Sequence, residues 1–145
     1  MTIDEINELW NKDCNIDEVD LKHATLDTPK LHAKYLGFLS EAKIRRLKLQ
    51  KKRKQLQVTL KEYYSGELNN PQDLKELNRE PFKLQVLNSQ IQHYIEADTE
   101  MVEITLAKGY QDELISTLED IMRMIHSRNF IISNIINYMK FMEGG

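Results

Sequence analysis

The residues with the clearest chemistry lie between positions 43 and 61, KIRRLKLQKKRKQLQVTLK. The stretch holds Lys43, Arg45, Arg46, Lys48, Lys51, Lys52, Arg53, Lys54 and Lys61, nine of the chain's twenty basic side chains, and no Asp or Glu. The other 126 residues carry 11 basic and 23 acidic side chains, so the net charge of −3 conceals a basic element set against an acidic remainder. A solvated helix face normally intersperses Glu with Lys at i,i+4. Here the acids are missing and the cations repel one another. A polyanion relieves that repulsion, and a phosphate backbone does so with release of condensed counterions. Tyr63 and Tyr64 follow directly. They either stack on unpaired bases, worth about 1–3 kcal/mol per base, or pack at the Ser65-Gly66 turn. Stacking needs splayed bases, so the combination points to single strands rather than duplex. An anionic membrane fits less well, because the basic turns lack an apolar insertion face.

No other constellation in the chain carries chemistry. HExxH, CxxC, GxSxG, P-loop and GxGxxG patterns are absent from the sequence. The four histidines, His23, His32, His93 and His126, have no ligand spacing. No metal, cofactor or catalytic residue is expected, and the chain reads as a binding protein rather than an enzyme. The single Cys14 cannot form an intrachain disulfide and fits a reducing compartment. No apolar run approaches the roughly 18 residues that span a bilayer, and the acidic start MTIDEINELW lacks a signal-peptide core. A soluble intracellular protein is expected.

The elements that position the basic stretch read as helices. Gly and Pro total eight of 145 residues, aromatics are 8%, and no segment alternates as a strand does, so the fold class is all-α. Ile3, Ile6, Leu9 and Trp10 predict a short amphipathic helix over 3–12. Residues 1–27, with eight acidic and two basic side chains, form an acidic arm. Thr28-Pro29 predicts the start of a long helix over 29–64, ended by Ser65-Gly66. Within it the basic side chains of 43–54 surround the helix axis, so no face of that segment is expected to bury itself. Asn70-Pro71 begins a short charged helix over 71–79, broken by Glu80-Pro81. Leu84, Leu87, Ile91, Tyr94 and Ile95 predict an amphipathic helix over 82–96. Asp98 or Thr99 then caps the last and longest helix.

That last helix carries twelve positions at unbroken spacings of three and four, from Ile104 to Met142 through Gln111 and Arg128. Such a repeat is a bundle or coiled-coil seam. Its apolar stripe is wide, and we expect Leu118, Ile121, Ile125, Ile132, Ile135, Met139 and Met142 to serve self-association. Ser127-Arg128-Asn129 is a candidate kink, because Asn tolerates the left-handed conformation. The organisation expected is one domain over 1–145: the acidic arm and basic helix over 1–66, then a helical bundle and oligomerisation helix over 67–145.

Several short segments, in this order and spacing, resemble the UvsY recombination mediator family of tailed bacteriophages. They are Pro29-Lys30-Leu31-His32-Ala33-Lys34-Tyr35, the turn Leu60-Lys61-Glu62-Tyr63-Tyr64-Ser65-Gly66, Tyr94-Ile95-Glu96-Ala97-Asp98, and Ser127-Arg128-Asn129-Phe130-Ile131-Ile132 leading to Phe141-Met142-Glu143-Gly144. The resemblance covers nearly the whole chain. It implies a non-enzymatic mediator in the host cytoplasm that binds single-stranded DNA. It also implies a ring-like homo-oligomer of six or seven copies, and two protein partners: the phage strand-exchange recombinase and the phage single-strand binding protein. By the resemblance, DNA falls to the basic helix and oligomerisation to the last helix. The chain departs from the family pattern in two places: before the tyrosine turn, where family members can carry basic residues, it has Gln57 and Thr59, and Asn129 stands where relatives often have Gly. The rival reading is a structural coiled-coil or assembly protein with an incidental basic patch.

Overall fold

The computed structural model describes residues 1–144 and is all-α; Gly145, the last residue of the expected domain, lies outside the described residues. Five helices follow one another: α1 Ile3–Asp13, α2 Leu21–Ser65, α3 Pro71–Glu76, α4 Asn88–Ala97 and α5 Thr99–Met142. No strand occurs among the described residues. The helices build two compact units, one from residues 1–44 and 111–144, the other from Arg45–Tyr110. The long helices α2 and α5 each contribute to both.

In the first unit, Thr2 starts α1 with a reciprocal capping box: its Oγ1 accepts from the Glu5 N–H, and Glu5 Oε2 accepts from the Thr2 N–H. α1 lays Ile6 onto a core of Tyr35, Leu39, Ala42, Leu114, Leu118, Ile121 and Ile125. Trp10 and Phe38 meet the Tyr35 ring edge-on at 5.3 and 5.6 Å. Tyr35 donates its hydroxyl to Asp13 Oδ2 at 2.9 Å, and Lys34 Nζ binds the same oxygen at 2.6 Å. The buried Arg128 directs Nη1 and Nη2 at the carbonyl oxygens of Cys14 and Asn15, at 3.4 and 3.5 Å. A cation beside the last carbonyls of α1 complements the negative end of that helix.

In the second unit, Leu60, Ile91, Ile95 and Met101 form the core, with Leu56, Tyr64 and Val86 packed against it. Asn70 caps α3 by accepting from the Gln72 N–H at 2.9 Å, with Pro71 at the first helical position. Asp98 Oδ1 accepts from the Glu100 N–H at 3.0 Å and starts α5, as the sequence predicts. Gly66, at φ +83°, ends α2 in the left-handed conformation.

Three expectations are corrected. α2 begins at Leu21, eight residues before Pro29, because Asp20 caps it: Asp20 Oδ1 accepts from the His23 N–H at 3.1 Å. Residues 82–87 are not helical, and α4 starts only at Asn88. Phe82 and Val86 are drawn to an aromatic cluster and to the core instead. The expected kink does not form a left-handed residue: α5 runs unbroken through 127–129, and the only non-glycine with positive φ among the described residues is Asn78. Asn129 Oδ1 instead accepts a hydrogen bond from the Thr28 hydroxyl at 3.1 Å.

Candidate nucleic-acid interface

The basic part of α2 is sorted by residue type. The three arginines, Arg45, Arg46 and Arg53, are half-buried, whereas Lys43, Lys48, Lys51, Lys52, Lys54 and Lys61 are all exposed. From Arg45 onward the inward side of the helix runs through Arg46, Leu49, Arg53 and Leu56 to the buried Leu60, at spacings of three and four. This corrects the expectation that no face of the segment is covered. Arg53 Nε donates to Thr105 Oγ1 at 3.4 Å, within a small depression that Met101 and Leu106 also line. The guanidinium is weakly hydrated and planar, so it tolerates such half-burial where a lysine ammonium seeks bulk water.

The lysines occupy the outer side of the helix. At 100° per residue, Lys51, Lys48 and Lys52 fall within an arc of roughly 100°, and Lys54 extends it. Among the described residues, no carboxylate forms an ion pair with Lys43, Lys48, Lys51, Lys52, Lys54 or Lys61. Lys43 belongs to the first unit, and the other five belong to the second.

Tyr63 and Tyr64 point elsewhere. Tyr63 is buried, donates its hydroxyl to the Glu80 carbonyl at 2.7 Å, and has the Arg79 guanidinium over its ring at 5.0 Å. Tyr64 is half-buried and donates to Asp98 Oδ2 at 2.7 Å. Both rings pack against Phe82, and Tyr64 also packs against Tyr94. Of the two readings left open by the sequence, the geometry matches packing at the turn. Burial, then the hydrogen bond to Asp98, push the Tyr64 phenol up to about 12. Nothing in the sequence signals Arg79, which ties this turn together; an isolated arginine in a charged loop has no pattern to announce it.

The expected association residues divide. Leu118, Ile121, Ile125 and Ile132 are between 0% and 4% exposed and are packed within the chain's own fold. They are core, because the seam is covered by the chain itself. Ile135 and Met139 are half-buried, and Met142 is exposed. Phe130, Tyr138 and Phe141 are also largely exposed. Ile131, Ile135, Tyr138 and Met139, with Glu18 and Asn134, line an open groove of about 500 Å³. No group of metal-ligating side chains occurs among the described residues, and none of their helices is long and apolar enough to cross a membrane.

The fold is that of known proteins. A crystal structure of the bacteriophage T4 recombination mediator protein UvsY (lattice type II) superposes with a TM-score of 0.83, at 23% identity, over 100% of this chain and 99% of that one. The lattice type IV structure gives 0.83 at 22% identity, covering 97% and 99% of the two chains. The lattice type I structure gives 0.83 at 22%, covering 94% and 98%. No curated protein matches the sequence. The family model described as "Recombination, repair and ssDNA binding protein UvsY" matches residues 9–145. With that match over nearly its whole length, the chain belongs to the UvsY family of recombination, repair and single-stranded-DNA-binding proteins.

Proposed function

We propose that this protein is a phage recombination mediator: it binds single-stranded DNA along the outer face of α2 and promotes loading of the strand-exchange recombinase onto DNA covered by single-strand binding protein. The observation that carries the reading is the row of exposed lysines, Lys48, Lys51, Lys52, Lys54 and Lys61, without carboxylate partners among the described residues. A single-stranded phosphate backbone supplies the missing anions, and counterion release drives the contact. Each protomer offers few such contacts, so useful affinity comes from several copies acting on one strand. Multivalency raises effective concentration without new contacts. A homo-oligomer built on the exposed apolar end of α5 provides the copies. The T4 protein that shares this fold is called a recombination mediator, and the same role fits the chemistry here.

Loading follows from the same arrangement. A strand held by many weak phosphate contacts is bound without base recognition, so it can be handed over at any sequence. The decisive experiment is binding to poly(dT) oligonucleotides of increasing length across a salt series. Affinity should rise with length and fall with a log–log slope near −0.7 per phosphate neutralised. A flat salt dependence would overturn the DNA assignment. Unchanged recombinase filament formation, on DNA pre-covered with single-strand binding protein, would overturn the loading role.

A further inference from the structure

The outer face of α2 is not purely cationic. From Arg45 on, Leu47 and Val58 are the large apolar side chains of this helix that stay exposed, at 62% and 61%. Leu47, Lys51, Lys54, Val58 and Lys61 follow one another at spacings of four, three, four and three. At 100° per residue they share an arc of about 80°, turned away from the inward Leu49, Leu56 and Leu60. Each of the two aliphatic side chains therefore has a lysine beside it on the same face, one turn away. Val58 and Lys61 also border an open groove of about 780 Å³ in the second unit, where the side-chain amides of Gln57 and Gln92 meet at 2.9 Å. Glu62 and Glu67 line the same groove.

An exposed aliphatic side chain flanked by lysines suits a ligand that is anionic along one edge and apolar across a flat face. We infer that Leu47 and Val58 are base-contacting residues: unpaired nucleobases rest on them while Lys51, Lys54 and Lys61 hold the neighbouring phosphates. These contacts presuppose that the outer face of α2 is the DNA site, and they add the means to tell a single strand from a duplex. A row of cations grips either one through its phosphates. Only an unpaired strand can turn a base face onto an apolar side chain, and thymine adds its methyl group to that contact. Tyr63 and Tyr64 do not serve, because their rings are packed against Phe82. Leu47 and Val58 lie about 17 Å apart along the helix, so they take different bases. In the groove beside Val58, the carboxylates of Glu62 and Glu67 repel a phosphate but not an uncharged base, and the Gln57 and Gln92 amides offer donors and acceptors to its edge. An acidic partner helix is the poorer occupant. Helix docking needs apolar anchors at successive turns, and lysines fill the turns between Leu47 and Val58. A membrane surface is poorer for the same reason.

The test compares a poly(dT) oligonucleotide with an abasic deoxyribose-phosphate oligomer of the same length, each titrated with the full-length protein across a salt series. The wild type should bind poly(dT) more tightly than the abasic oligomer, with the same salt slope for both. Leu47→Gln combined with Val58→Thr removes the apolar surface at little cost in helix propensity. That double variant should lose about tenfold in affinity for poly(dT) and keep its affinity for the abasic oligomer within about twofold. Its salt slopes, particle mass and unfolding midpoint should match those of the wild type. If the wild type binds both oligomers equally and with a steep salt dependence, the base contacts are overturned and the phosphate reading stands. An equal loss on both oligomers in the double variant overturns them as well. Unchanged poly(dT) binding with weakened binding of the recombinase or of the single-strand binding protein would overturn them too, and would give this face to a protein partner. A flat salt dependence for both oligomers overturns the DNA reading itself.

Discussion

Arg79 grips Asp98 through both terminal nitrogens, Nη1 to Oδ2 at 2.7 Å and Nη2 to Oδ1 at 2.9 Å. Asp98 also accepts from the Tyr64 hydroxyl and from the Glu100 N–H, so one carboxylate ties the α2 turn, the loop after α3 and the start of α5 together. Burial alone would push the Asp98 carboxyl up. The hydrogen bonds from Arg79 and Tyr64, with the guanidinium charge, outweigh it and hold the group below the usual carboxylate range. Its stabilisation is thus complete above the unfolded value near 3.9 and is lost as pH falls through the lower folded value. Asp98→Asn should cost about 3 kcal/mol at pH 7, and it should flatten the loss of stability below about pH 4. Urea midpoints between pH 7 and pH 2 check both. Asp13, lowered in the same sense by Lys34 and Tyr35 against the opposing effect of burial, leaves a residual slope in the variant. An Asp98→Asn curve parallel to the wild type would remove Asp98 from this role.

The tyrosine pair makes a separate case. The Tyr64 phenol, pushed up to about 12, contributes stability that is full below pH 10 and lost as pH rises through that folded value. Tyr64→Phe should cost about 1–2 kcal/mol, since it strips one hydrogen bond from a buried carboxylate. Tyr64→Leu, assayed where it is fully folded, should keep its affinity for poly(dT) within about twofold. Base stacking would instead cost about 1–3 kcal/mol, and a loss of that size would return Tyr64 to the DNA site.

Sorting of arginine from lysine along α2 gives a third outcome. Lys48, Lys51, Lys52 and Lys54 face outward, and each replaced by Ala should reduce the steepness of the salt dependence by up to about 0.7. Arg53 faces Thr105. Arg53→Gln should leave the slope unchanged and lower the unfolding midpoint slightly. Equal slope changes for Arg53 and the lysines would place DNA on the inward side of the helix.

Much of this was legible in the residues. The spacings of three and four from Leu114 to Ile132 identify the buried stripe of α5, because a long helix can cover only one face. Asp98 and Gly66 mark helix ends by chemistry that few other residues supply. Two boundaries were not legible for physical reasons. Thr28-Pro29 has the local form of a helix start, yet Asp20 caps eight residues earlier and the helix tolerates the proline. Leu84 and Leu87 continue the helical spacing of Ile91, yet the chain is not helical there, and Phe82 and Val86 pack into the aromatic cluster and the core. At the candidate site, formal charge does not distinguish Arg53 from Lys52; helical phase does, since Arg53 falls in line with Leu49, Leu56 and Leu60, whereas Lys52 lies about 100° away around the helix. Whether Tyr63 and Tyr64 face bases or neighbours depends on Phe82 and Tyr94, which are distant in sequence.

The same division between covered and uncovered residues decides where copies of the chain meet. Leu118 is fully buried within the chain, whereas Tyr138 and Phe141 are 64% and 76% exposed on the last turns of α5. Leu118→Ala removes packed atoms from a core and should cost about 2–5 kcal/mol, with the native particle mass unchanged below its unfolding transition. Tyr138→Lys combined with Phe141→Lys touches no core residue and should leave the unfolding midpoint of a dissociated protomer intact. It should shift the sedimentation mass toward the monomer, because a desolvated lysine at an apolar contact is costly. If the double variant keeps the wild-type mass while Leu118→Ala lowers it, association runs through an opened α5 seam rather than through its outer face. The exposed end of the helix would then need another occupant.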